Sequence, residues 1–208
     1  MPYEKKRILS KILECADLYN KDFVGRDLLF VYADSSGVLT FEASFCKSNF
    51  KHLTGIVSPD SANEFFSKAA DKRLSESDFE VGRNSMSHSK LEALPEFLSR
   101  PVASVNMLGE YDSSAKKNLD TGTLVGGVKS CMGFIKNDSD IFVPNTFLAG
   151  NNEDIRTLVR DIKQVLAVWR KHRGEILYTE EWRVNKAKIG KMKLNQHYDS
   201  LKSERFKK

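Results

Sequence analysis

Phe45-Cys46-Lys47-Ser48-Asn49-Phe50-Lys51-His52-Leu53-Thr54-Gly55 is the stretch on which the reading of this chain turns. Phe45, Phe50 and Leu53 anchor it in a core. Between them stand lysines, hydroxyls, an amide and an imidazole. Polar chemistry on an apolar anchor, at a junction between elements, is where sites tend to be built. In extended backbone His52 and Thr54, two residues apart, point to the same side. Histidine transfers protons in both directions near neutral pH, and Lys51 in the same pocket would neutralise a phosphate. The same residues also suit a half-buried, hydrogen-bonded histidine and a threonine closing a turn at Gly55.

Upstream, Ile8, Leu9, Ile12, Leu13, Ala16 and Tyr19 recur at helical spacing, which predicts a helix over 3–20 lying on a core. Leu28 to Tyr32, the turn Asp34-Ser35-Ser36-Gly37 and the alternation Leu39, Phe41, Ala43, Phe45 predict a β-hairpin. Downstream, Ser58-Pro59 predicts the start of a short helix through Phe65, Phe66 and Ala69. Leu74 to Phe79 reads as a capped turn. Ser87 to Leu98 reads as a helix that Pro95 ends or bends. Strands are predicted at 102–108, 123–128, 132–135 and 141–143. Asn151 to Asp154 then opens the clearest predicted helix, striped by Ile155, Leu158, Val159, Ile162, Val165, Leu166 and Trp169. A last strand is expected at 175–179. Neighbouring strands joined by short turns, with helices between and at the ends, predict an α+β fold with a mainly antiparallel sheet. The organisation expected is one domain over 1–182 and a basic tail or helix over 183–208.

The net charge of +5 is unevenly placed. Residues 183–208 carry 9 basic and 2 acidic side chains, leaving 24 basic and 26 acidic in the body. A basic tail attracts phosphate polymers or an anionic surface, and equally serves as a solvated terminal helix. No apolar run approaches the roughly 18 residues that span a bilayer, and the charged start does not read as a signal peptide. Cys15, Cys46 and Cys131 are widely spaced, which argues against a disulfide framework or a thiolate metal site and points to the reducing cytoplasm.

Other motifs are weaker. A histidine, one residue and a hydroxyl marks two-histidine phosphoesterases, but no second copy accompanies His52. Asp120-Thr121-Gly122 matches the aspartic-protease triplet, yet a polar segment precedes it and a turn explains it. Gly126-Gly127 lacks a following Lys-Ser/Thr and reads as a bulge or close backbone approach. The histidines are too scattered for a metal site. Ser87-His88-Ser89-Lys90 opens a helix, where free N–H groups and Lys90 favour an anion, or simply cap the helix. Asn145 and Thr146 are suited to donating to a phosphate or reading a base, or to capping a turn.

In order along the chain, the hairpin ending in Phe41, Asn49-Phe50-Lys51-His52-Leu53-Thr54-Gly55, Glu64-Phe65-Phe66, Leu74-Ser75, Lys90-Leu91, Leu124-Val125-Gly126-Gly127, Met132-Gly133-Phe134 and Phe142-Val143-Pro144-Asn145-Thr146 resemble one family. It is the phage-associated branch of the Barnase–EndoU–colicin–RelE-like nucleases, the subgroup with a Phe-x-His-Leu-Thr-Gly signature. The resemblance covers about residues 5–180. It implies a compact α+β nuclease fold and metal-independent, cofactor-free cleavage of RNA, as by toxins of phages and mobile elements. RNA, with tRNA among the candidates, and an antitoxin or immunity protein are the implied partners. Cleavage through the 2′-OH needs a base, an acid and groups that stabilise the crowded phosphate. His52 is assigned as base or acid and Thr54 as phosphate donor. Lys90 and Lys51 are chosen by chemistry to face the phosphorane, and Tyr111, Asn145 and Thr146 to contact substrate. The rival expectations are a non-catalytic RNA- or protein-binding module of the same fold, and a phage assembly protein.

Overall fold

The run Leu28-Leu29-Phe30-Val31 is buried at every position. Such a strand must be covered on both faces. The computed structural model, which describes residues 2–35, 37–81, 86–99, 105–114, 119, 121–150 and 155–184, shows how. The elements are α1 (Pro2–Asp22), β1 (Arg26–Asp34), β2 (Gly37–Ser44), α2 (Asn49–Thr54), α3 (Ala62–Ala70) and α4 (Met86–Ser99). They continue with β3 (Met107–Tyr111), β4 (Thr123–Gly126), β5 (Ser130–Lys136), β6 (Phe142–Ala149), a 3-10 turn (Ile155–Leu158), β7 (Val159–His172) and β8 (Glu180–Val184). The fold is α+β, as expected.

The predicted hairpin forms, with Phe30 opposite Phe41 and the turn closed at Gly37, φ 129°. On its other edge β1 pairs with β7, Phe30 opposite Val168. The strands β1-β2-β6-β5-β4-β3-β7 thus close into a seven-stranded barrel, and β8 adds beside β7. The sheet is therefore a closed barrel, not an open antiparallel layer. Its ladders are antiparallel except β2–β6, which meet in parallel at one pair, Ala43 and Phe142. Closure removes the sheet edges that would otherwise expose unpaired backbone groups.

Alternation sorts the core. Leu28, Phe30, Phe41, Leu108, Val125, Met132, Phe134, Phe147, Val165 and Val168 face inward and join the helical layer in one cluster. Leu29, Val31, Ala167 and Trp169 face outward beneath Tyr178, and Met107, Leu124, Cys131 and Leu148 face outward beneath Ile155 and Leu158. Where β2 and β6 touch at a single pair, α2 packs on β6 and aromatic rings connect the two layers. The rings run from Tyr19 and Phe23 through Phe45 to Phe134.

The largest correction concerns 155–170. The expected helix is a 3-10 turn followed by the long strand β7. Val165 to Trp169 are buried without a break, and β-branched and aromatic residues dominate the segment. That is the composition of a strand covered on both faces, and a continuous apolar run carries no period that separates strand from helix. Residues 151–154, read as the helix start, lie outside the described residues. Smaller corrections follow. Ser61, not Ser58-Pro59, caps α3, and it forms a capping box with Glu64. The helix α4 runs through Pro95. The last strand is 180–184, not 175–179. Gly126 does mark a close approach, since a side chain there would strike Ser130 and Cys131. The basic tail beyond 184 lies outside the described residues.

Candidate functional site

The motif stretch is helical, which changes its geometry. Asn49 to Thr54 form α2, and Gly55 ends it in the left-handed conformation, φ 68°. On a helix, residues two apart do not share a face. His52 is accordingly exposed, while Thr54 is fully buried. The Thr54 hydroxyl donates to the Lys51 carbonyl at 2.8 Å and accepts from the Ile56 N–H at 3.3 Å, so it locks the helix end. Lys51 donates to the Ser58 and Asp60 carbonyls at 2.7 and 2.6 Å, binding the following loop to α2. Phe50 and Leu53 are buried, as the anchoring reading requires.

Lys90, from α4, lies across Gly55. Burial pushes its ammonium pKa below the ordinary lysine value, and it makes no hydrogen bond or ion pair among the described residues. Ser87 donates to the Gly55 carbonyl at 2.8 Å, and His88 faces Glu4 at 3.0 Å. The start of α4 therefore braces α2 and α1. The structure brings Lys90 to the motif's last residue.

The remaining predicted residues sit elsewhere. Tyr111 ends β3, packed near the outer cluster of Met107 and Leu158. Asn145 and Thr146 lie inside β6, not in a turn after it, and Thr146 is paired with Gly133. Asp120 is outside the described residues, and the Thr121 hydroxyl donates to the Phe134 carbonyl.

A cavity of about 740 Å³ opens into the barrel, and no predicted site residue lines it. Its walls include Tyr32, Glu110, Thr123, Lys136, Phe142 and Lys163. Strand register explains the convergence. Glu110 follows the inward-facing Leu108 by two residues and pairs with Thr123 and Arg160, while Lys163 pairs with Leu108. Between those pairs β3 advances two residues and β7 three, a bulge where Asp161 takes a positive φ of 49°. Bulges re-aim side chains and recur beside active sites. Here the extra residue sets both Arg160 and Lys163 on the side of Glu110.

The cavity's charges are mixed. Asp27, nearly buried, accepts from the Ser44 hydroxyl at 2.5 Å and lies 3.7 Å from Arg173. Glu42 lies 3.4 Å from Lys171, and Asp140 holds Lys136 at 2.6 Å. Glu110 alone of these four carboxylates has no ion pair or hydrogen bond among the described residues. At the rim, the Arg160 guanidinium and the Ser114 hydroxyl hold the Asp112 carboxyl down at about 2. Among the described residues no cluster of His, Cys, Asp and Glu has the make-up of a metal site, and no helix is long and apolar enough to cross a membrane.

Sequence reasoning missed Glu110, Lys136 and Lys163. The available signal was their strand alternation with core residues, Leu108, Phe134 and Val165, which puts charges on an inward face. A family model described as phage-Barnase-EndoU-ColicinE5/D-RelE like nuclease 4 matches residues 11–187. No curated protein and no solved structure matches the chain.

Proposed function

The chain belongs to the phage-Barnase-EndoU-ColicinE5/D-RelE-like nuclease 4 family, and from that premise we propose that it is a metal-independent endoribonuclease acting at the barrel cavity. The observation that carries the reading is Glu110, a carboxylate without a partner among the described residues, in a cavity that also holds Lys163 and Lys136. A free carboxylate serves as a proton acceptor, and ammonium groups stabilise charge that builds on a phosphate. In the reaction Glu110 takes the proton from a 2′-OH. The 2′-oxygen bonds to phosphorus, the bond to the 5′-oxygen breaks, and that oxygen takes a proton from solvent at the open mouth. Lys163 faces the crowded phosphate. The products are a 2′,3′-cyclic phosphate and a 5′-OH. The family's RelE and colicin namesakes support a toxin role held in check by an antitoxin, with growth arrest on expression as its readout.

One observation favours a second location for the chemistry. Lys90 is half-buried, has no partner among the described residues and lies against the motif that carries the exposed His52. A lysine whose pKa is lowered by burial is a recurrent sign of a functional site. In this reading His52 is the base and Lys90 stabilises the phosphate.

Purified protein incubated with total RNA and with DNA in EDTA separates these readings. The cavity reading expects RNA fragments with 2′,3′-cyclic ends, reduced about 10²–10⁴-fold in Glu110→Gln and unchanged in His52→Ala. The reverse pattern moves the chemistry to the junction of α2 and α4. Cleavage that requires a divalent ion, or cleavage of DNA alone, overturns the proposal.

A further inference from the structure

Two lysines in the cavity lie over aromatic rings. The Lys136 ammonium sits 5.2 Å from the centre of the Phe142 ring, and Lys163 sits 5.6 Å from that of Tyr32. All four residues line the same cavity. Phe142 is half-buried, and its ring centre is 4.5 Å from that of Phe41, which fixes it from the core side. Phe142 is also the single residue through which β6 bridges β2 at Ala43, so the ring stands where the barrel wall is thinnest.

We infer that the cavity binds single-stranded nucleic acid by stacking a base on Phe142, with Lys136 leaving the ring to meet the adjoining phosphate. Tyr32 and Lys163 offer a second position of the same kind. This rests on the nuclease reading and specifies its substrate. Lys136 is held by the ring and by an exposed ion pair to Asp140 at 2.6 Å; both are weak at the surface, and a phosphate oxygen is a stronger partner for an ammonium than a π-face. The ring face so uncovered is what an unpaired base needs. A duplex offers no free base face, because its bases are already stacked and paired.

Charge points the same way. Asp27, Glu42, Glu110 and Asp140 line the cavity against Lys136, Lys163 and Arg173. A site with more carboxylates than cations gains little from releasing counterions. Affinity must then come from stacking, and its dependence on salt must be shallow.

The experiment uses the full chain and 2′-O-methyl hexanucleotides, which cannot be cleaved through the 2′-oxygen. Three probes are compared: a single strand of adenosines, the same strand with its bases removed, and a blunt duplex. Phe142→Trp reports stacking as quenching of fluorescence beyond that of the wild type. The expected result is quenching by the adenosine strand, about tenfold weaker binding of the abasic strand and the duplex, and a shallow salt slope. Phe142→Leu weakens the adenosine strand about tenfold, and Phe142→Tyr restores it. Lys136→Gln, outside the core, provides a variant that keeps the fold and weakens binding of the adenosine strand. Equal affinity for the abasic and adenosine strands, or a steep salt slope, overturns the inference and leaves the nuclease reading standing. Base-dependent binding without any RNA cleavage by the wild type sinks the nuclease reading and supports the stacking site.

Discussion

Lys90 lies so close over Gly55 that a methyl carbon placed on the glycine would sit 3.1 Å from the lysine Cδ. Gly55 also holds a positive φ of 68°. Any L side chain there adopts the left-handed conformation at a cost of about 1–2 kcal/mol, and it pushes Lys90 aside as well. Gly55→Ala is expected to lower stability by about 2 kcal/mol, measured as a reduced urea midpoint with an unchanged m-value.

Lys51 predicts a stability role for a residue whose charge first suggests a phosphate. Its ammonium satisfies the Ser58 and Asp60 carbonyls. Lys51→Met keeps the aliphatic stem and leaves both acceptors without their donor. The expected loss is about 1–3 kcal/mol, read by thermal or urea unfolding. A melting temperature equal to that of the wild type would remove this bracing role.

Asp27 is buried beside Arg173 and accepts from Ser44. Asp27→Ala strands the Ser44 hydroxyl and leaves the Arg173 guanidinium without its anion, so a loss of about 1–3 kcal/mol is expected. Asp27→Asn, which keeps an acceptor for Ser44, recovers part of it. Urea unfolding of the two variants side by side makes the comparison.

Acid stability follows from Asp78. The Ser75 hydroxyl, the Lys68 ammonium and the Ser75 N–H hold its carboxyl well below the usual carboxylate range. A lowered folded-state pKa stabilises the fold above the ordinary carboxyl value of about 3.9, and that contribution disappears as pH falls through the folded value. Asp112, held at about 2, acts in the same direction. The melting temperature of the wild type should therefore fall from pH 5 toward pH 2. Asp78→Asn should melt below the wild type at pH 7, with the gap narrowing as pH drops. A gap constant with pH would exclude the linkage.

Local pattern carried much of the fold. The amphipathic stripe from Ile8 to Tyr19, the turn at Gly37 between alternating runs, and the anchors Phe50 and Leu53 each appear in the structure as elements with the faces their spacing requires. These features depend on neighbours within a few residues, which a single sequence displays. The family resemblance was legible for the same reason, since it rests on short motifs in order.

Only tertiary structure decided the rest. Ile155 to Trp169 fits a helical stripe by count, but pairing with β1 on one edge and with β3 and β8 on the other makes most of it a strand. The pairing with β1 joins residues more than a hundred positions apart and that with β3 about fifty, and periodicity does not see them. Closure of the barrel likewise depends on β7 meeting β1 and on β2 meeting β6. The geometry of the motif changed for a related reason. Read as extended, His52 and Thr54 share a face; wound into α2, one is exposed and the other locks the helix end. Glu110, Lys136 and Lys163 lie on three strands, and each alone looks like a solvated charge. They share a cavity because the barrel closes and the bulge at Asp161 re-aims β7. The sequence by itself determined which segments were apolar on which side, through the fixed geometry of helix and strand. Which of those sides would face one another was settled by long-range pairing, and with it which charges share the cavity.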